Sequence, residues 1–175
     1  FTDRRQRQMC IRDRNKNYLT CDKYKVKCAL GKRGIGIKEI EGDKITPIGR
    51  YNIKFLLYRK DRIKKIKTKL KKIIIKKNMG WCDDSSSKNY NKLIRLPVKY
   101  NHEKLYKNDN SYDIILVLNF NMHPIKKNKG SAIFIHVAKK NYKKTLGCIA
   151  ISKIALLKII KKLNKKSIVE ISNQR

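Results

Sequence analysis

Acidic residues are scarce in this chain of 175 residues: 13 Asp and Glu stand against 46 Lys and Arg, for a formal net charge of +33. Nucleic acid is the first partner such a balance suggests, yet the usual modules for it are missing. There is no CxxC/HxxxH finger, no aromatic RNA-recognition signature and no basic region running into a leucine heptad. That disfavours nucleic acid. Abundant Lys, Ile and Asn share AT-rich codons, but codon bias alone would also have favoured Glu. The positive field is therefore a physical property of the surface, suited equally to an anionic wall polymer or a membrane surface. No run reaches the roughly 18 apolar residues of a membrane span. The glycines at Gly31, Gly34 and Gly36 lack the GxGxxG order of a dinucleotide fingerprint, and no internal repeat is visible.

What the chain does contain is apolar sequence of strand length. The runs at residues 112–120 and 132–137 are too dense for a disordered chain and read as central strands. Alternating or short apolar segments predict further strands near residues 23–30, 50–58, 92–96 and 167–171. Ser152 can cap an amphipathic helix running to about residue 163, with Ala155, Leu156, Ile159, Ile160 and Leu163 facing inward. Residues 59–78 are lysine-heavy with Ile63, Ile66 and Leu70 at helical spacing, which fits either a surface helix or an irregular basic loop. Residues 79–90 read as a polar turn region. The expected fold is mainly β, a sandwich or barrel-like sheet assembly with one packed helix.

The first fourteen residues stand apart. Met9-Cys10-Ile11-Arg12-Asp13-Arg14 reads like the translation of a transposon-end sequencing adapter, and the stretch prefers Arg where the rest prefers Lys. Residues 1–14 are therefore expected to be a scar outside the fold and to pack poorly, with one domain spanning residues 18–173.

Five cysteines occur, at positions 10, 21, 28, 82 and 148, with spacings that match neither a zinc motif nor a disulfide framework. The strongest constellation is Gly130-Ser131-Ala132-Ile133-Phe134-Ile135-His136-Val137, followed by Thr145-Leu146-Gly147-Cys148. His136 closes an apolar strand and Cys148 precedes the capped helix, so a strand end and a turn can bring thiol and imidazole together. A thiol attacks carbonyls as thiolate, and a neighbouring imidazole is the usual means of generating it. On that reasoning Cys148 should titrate below the free value of about 8.5. Gly147 would let a substrate approach the backbone, and its turn could supply oxyanion N–H donors. On spacing alone, a buried Cys148 and a satisfied strand-edge His136 serve as well. Trp81 and Asp83 sit in a polar loop that can line a cleft or simply form a capped turn. Arg50 and Arg95 can hold a carboxylate or cap strand ends. His102 and His123 are weaker candidate bases in loop-like contexts.

His136, Thr145, Gly147 and Cys148 together resemble the catalytic signature of the L,D-transpeptidase (YkuD-like) family, where a strand His precedes a Ser/Thr-His-Gly-Cys turn and a short helix. Thr46-Pro47-Ile48-Gly49 is similar to that family's upstream turn. Cys28-Ala29-Leu30-Gly31, Glu41-Gly42-Asp43 and Gly80-Trp81-Cys82-Asp83-Asp84 resemble a divergent, mainly proteobacterial branch. The likeness runs from about residue 25 to residue 171. It implies a YkuD-like β fold with its helix after the catalytic Cys, and acyl transfer through a thioester at Cys148. It further implies His136 as general base and acid, Gly147 in the oxyanion turn, and substrate contacts from Trp81, Asp83, Arg50, Arg95, Ser131 and Thr145. The implied partner is a peptidoglycan stem peptide, the outcome crosslinking or carboxypeptidase action, the location the periplasm or cell envelope, with a monomer needing no cofactor or metal. Leu146 and Ala150 depart from the family's usual His and Arg. The alternative from another class is a non-catalytic basic module that holds nucleic acid or an anionic wall polymer.

Overall fold

A computed structural model describes residues 8–14 and 16–173. Its strands, in chain order, are β1 Gln8–Arg14, β2 Lys16–Cys21, β3 Tyr24–Ala29, β4 Ile35–Gly36, β5 Thr46–Pro47, β6 Gly49–Tyr58 and β7 Lys72–Ile74. They continue with β8 Met79–Cys82, β9 Leu93–Arg95, β10 His102–Lys104, β11 Ile114–Leu118, β12 Phe134–Val137, β13 Ile149–Ile151 and β14 Ile168–Ser172. The single α-helix described, α1, is Lys153–Ile160.

The main sheet runs β11-β12-β13-β3-β2-β1-β14-β6-β7, and β6 also pairs with β11. That last pairing closes the ring into a barrel and leaves β7 as a flap on β6. The length of β6 makes closure possible. Residues 49–52 pair with β14 and residues 53–58 pair with β11, across a register shift at Val117/Leu118. A closed ring leaves no open edge to template aggregation.

β1 is an integral stave of this barrel. It lies parallel to β14 and antiparallel to β2, so without it the ring would open between them. Met9 and Ile11 are buried while Gln8 is exposed, a period-two pattern hidden from composition by the surrounding arginines. The expectation that residues 1–14 stand outside the fold is thus corrected for residues 8–14; residues 1–7 lie outside the described residues.

Both faces of β11 and β12 are buried, which explains their uninterrupted apolar sequence. Ile114, Leu116, Leu118, Ile133, Ile135 and Val137 join the large core with α1. Ile115, Val117 and Phe134 point the other way, into a second cluster with Trp81, Leu105 and Tyr112. Ser152 caps α1 by accepting from the Ala155 amide at 3.2 Å, and Ala155, Leu156, Ile159 and Ile160 face inward as expected. Residues 59–78 form no helix. Ile63, Ile66 and Leu70 are buried from an irregular path, because Arg59 and Arg62 anchor its start to Asp61, to Asp113 and to carbonyls of the 107–109 loop. The stretch read as a turn at residues 79–90 begins instead with β8, the middle strand of a small sheet ordered β10-β8-β9.

Closure through β1 makes Ile11, fully buried, a sensitive position. Ile11→Ala should cost about 2–5 kcal/mol by urea denaturation, whereas Gln8→Ala should stay within about 0.5 kcal/mol. Equal, small effects at both positions would show that β1 does not pack into the barrel.

Candidate active site

Parallel pairing of β12 and β13 sets His136 beside Ala150. Side chains alternate along a strand, so Cys148, two residues before Ala150, projects from the same face as His136, next to Phe134. Cys148 accordingly packs on the second cluster, the one that holds Phe134 and Tyr112. The two residues meet at one cleft of about 790 Å³, which Ser131, Ala132, Thr145 and Gly147 also line.

The turn before Cys148 is tied down from three sides. The Thr145 hydroxyl donates to the Cys148 carbonyl at 2.6 Å and accepts from the Gly147 amide at 3.1 Å. The Thr145 amide donates to the Leu30 carbonyl at 2.9 Å, and its carbonyl accepts from the Lys32 amide at 3.0 Å. Buried Thr46 reaches across, accepting from the Gly31 amide and donating to the Gly147 carbonyl, each at 2.9 Å. Gly147 sits at φ +139°, and a Cβ there would come within 2.9 Å of the Ile45 carbonyl oxygen. Only glycine fits. Its amide is engaged by the Thr145 hydroxyl.

His136 is almost wholly buried. Its Nδ1 lies 3.0 Å from the Val137 carbonyl, and a carbonyl only accepts, so Nδ1 carries the proton and Nε2 is left as the basic nitrogen. The Tyr112 ring meets the imidazole edge-on at 5.2 Å. Tyr112 donates its O–H to Glu103 at 2.6 Å, and Lys107 pairs with the same carboxylate at 2.8 Å. Burial holds the His136 pKa below the usual 6.5, against the pull of the Val137 carbonyl and Glu103. The imidazole is therefore neutral at pH 7.

The thiol contradicts the expectation of a lowered pKa. Burial first, and then the Glu103 charge, push Cys148 up to about 12. Its S–H donates to the Ala132 carbonyl at 3.1 Å, which stabilises the protonated form. The resting pair is neutral thiol and neutral imidazole rather than an ion pair.

Other expected site residues divide. Asp83, Ser131 and Thr145 line the cleft. Trp81 does not: it is 2% exposed, stacks edge-on against Phe134 at 5.2 Å and donates its indole N–H to Asn91 at 3.1 Å. It is the cluster's core. Arg50 lies on β6 with an exposed side chain 3.7 Å from Glu170, and exposed Arg95 lies on β9; neither lines the cleft. His102 does line it, while His123 sits 3.3 Å from Lys54 elsewhere. Glu103 and Tyr112 were missed as site residues. Their only sequence signal was a carboxylate beside His102 and a Tyr opening an apolar run. Where the family's usual His and Arg would stand, Leu146 is exposed at the cleft and Ala150 is buried in β13.

A family model described as the L,D-transpeptidase catalytic domain, YkuD, matches residues 2–171. The chain belongs to this family. The mainly β barrel with one helix agrees with the YkuD fold, and the match includes the β1 segment. A search of curated proteins returns no significant match. Membership makes L,D-transpeptidase-type chemistry the general activity of this YkuD domain, with peptidoglycan stem peptides as the general substrate class.

Iodoacetamide reactivity reads the thiol directly. Labelling of Cys148, mapped by mass spectrometry, should climb about tenfold per pH unit from pH 7 to beyond pH 10 without levelling. A plateau near pH 8.5 would show a depressed thiol and contradict the neutral pair.

Proposed function

We propose that this YkuD domain is a cysteine acyltransferase in which Cys148 is the nucleophile and His136 the general base and acid. The observation that supports it is a buried imidazole, held by its Nδ1–H with Nε2 basic, on the same sheet face and in the same cleft as Cys148. The thiol stays protonated until substrate arrives, then leaves the Ala132 carbonyl. As sulfur bonds to the carbonyl of the stem peptide's diamino acid, Nε2 takes the S–H proton. The peptide C–N bond then breaks, and the same proton passes to the departing D-alanine amine. What remains is a thioester on Cys148. In the second half, a neutral amine of a neighbouring stem attacks. The C–S bond breaks, and one N–H proton returns through His136 to sulfur, giving a crosslink. Water in place of the amine gives carboxypeptidase action.

The scheme needs no metal or organic cofactor. Stem peptides lie outside the cytoplasmic membrane, so we assign the protein to the periplasm or cell envelope. There its positive surface suits contact with an anionic wall polymer or membrane surface.

Intact-mass analysis after incubation with a peptidoglycan tetrapeptide tests the proposal. The parent should gain the tetrapeptide mass less that of free D-alanine, and Cys148→Ala should gain nothing. His136→Ala should form the adduct at least about 100-fold more slowly, in line with loss of a general base. An unmodified parent that binds a polyanion with steep salt dependence would favour the non-catalytic basic module instead.

A further inference from the structure

Six lysines line the catalytic cleft: Lys32, Lys38, Lys107, Lys139, Lys143 and Lys144. Opposing them are three carboxylates, Glu41, Asp83 and Glu103. Two of these are engaged, Glu41 by the Tyr90 hydroxyl and Glu103 by Tyr112 and Lys107. Asp83 differs. Its Oδ1 is buried, and no described residue hydrogen-bonds to it. Nor does Asp83 join any ion pair among the described residues, although three of the cleft lysines pair with Asp43, Glu103 and Asp109.

A buried carboxylate oxygen without a donor is costly and calls for an explanation. Neighbouring lysines would supply one by folding over it, in a chain where cations are plentiful. None does so among the described residues. Asp83 follows directly on β8, whose Cys82 pairs with His102 of β10 and whose Trp81 pairs with Glu103. Its carboxylate lies within electrostatic reach of Glu41, Glu103 and His102. Burial first, and then repulsion from Glu41, hold its carboxyl above the ordinary range, as expected for an anion lacking its cation.

We infer that Asp83 is a specificity residue that receives the ammonium group of the substrate's diamino-acid residue, through a charge-assisted hydrogen bond to Oδ1. This rests on the acyltransferase reading and extends it by naming a recognition group. Diaminopimelate in a stem keeps an ammonium and a carboxylate on the single carbon of its free end, and the cleft offers both complements. Asp83 takes the cation, while Lys32, Lys143 and Lys144 stand ready for the anion. Donor and acceptor stems carry the same side chain, so either can supply the ammonium.

Binding is read apart from catalysis by calorimetry on the Cys148→Ala protein, with meso-diaminopimelate as probe and pimelate, which lacks both amines, as control. Adding Asp83→Asn should weaken meso-diaminopimelate at least about tenfold, the loss of one charge-assisted hydrogen bond, and leave pimelate within about twofold. Asp83→Glu should recover part of the loss. Equal weakening of both ligands, no weakening of either, or no binding of meso-diaminopimelate would each overturn the inference. With Cys148 restored, a rise in KM for tetrapeptide acylation assigns the ammonium to the donor, and a rise in KM for the resolving amine assigns it to the acceptor. Failure of the parent to acylate at all would sink the acyltransferase reading, while the calorimetry would still decide the role of Asp83.

Discussion

One buried hydroxyl bridges the two loops that meet beneath the nucleophile. Thr46 is buried and joins two loops distant in sequence, accepting from the Gly31 amide and donating to the Gly147 carbonyl. Three backbone segments meet there at closer range than side chains permit. A Cβ on Gly31 would come within 2.3 Å of the Lys44 carbonyl oxygen, and one on Gly147 within 2.9 Å of the Ile45 carbonyl oxygen. Severing the bridge would leave a buried N–H and a buried C=O without partners, each costing about 1–3 kcal/mol. The turn that presents Cys148 would then be held by the Thr145 backbone bonds to Leu30 and Lys32 alone. His136 needs no such device, because β12 lies between β11 and β13 with both faces covered.

Scarcity of acid shapes the rest of the electrostatics. Buried Asp113 gathers Arg62 and Lys153, each at 2.8 Å, and so ties the loop after β6 to the start of α1. Buried Asp43 does the same locally, pairing with Lys38 and accepting from the Glu39 and Ile45 amides at 3.1 and 3.0 Å. Breaking such a pair leaves an uncompensated buried charge, so these few carboxylates organise the fold far beyond their number. Glu103 belongs to the same economy of acid but serves the site. It fixes Tyr112 against His136 and raises the thiol pKa. A neutral resting pair suits a half-buried cysteine in such a cleft, since charge separation is deferred until a polar substrate can stabilise it.

Much of this was legible in the sequence, for physical reasons. Strands buried on both faces announce themselves as unbroken apolar runs, and β11 and β12 did so. Ser152 and the inward spacing of Ala155, Leu156, Ile159 and Ile160 marked α1. The coincidence of His136 and Cys148 could be read because a strand end and a capped helix bracket them. Other features were hidden. In β1 only Met9 and Ile11 carry the alternation, and flanking arginines masked it. β8 is four residues long and opens a polar segment, so Trp81 looked like a loop residue although it packs against Phe134. The Glu103–Tyr112–His136 arrangement joins β10, the turn before β11, and β12, and no local period records such contacts. The thiol pKa was misjudged because sequence shows that an imidazole is near but not how dry the sulfur is.

The account turns on the protonation state of His136, and nitrogen-15 NMR of the labelled imidazole reads it directly at pH 7. The predicted result is a neutral ring with a pyrrole-like Nδ1, bonded to the Val137 carbonyl, and a pyridine-like Nε2. A doubly protonated ring, which would signal a standing thiolate–imidazolium pair, or a proton on Nε2 alone would contradict it.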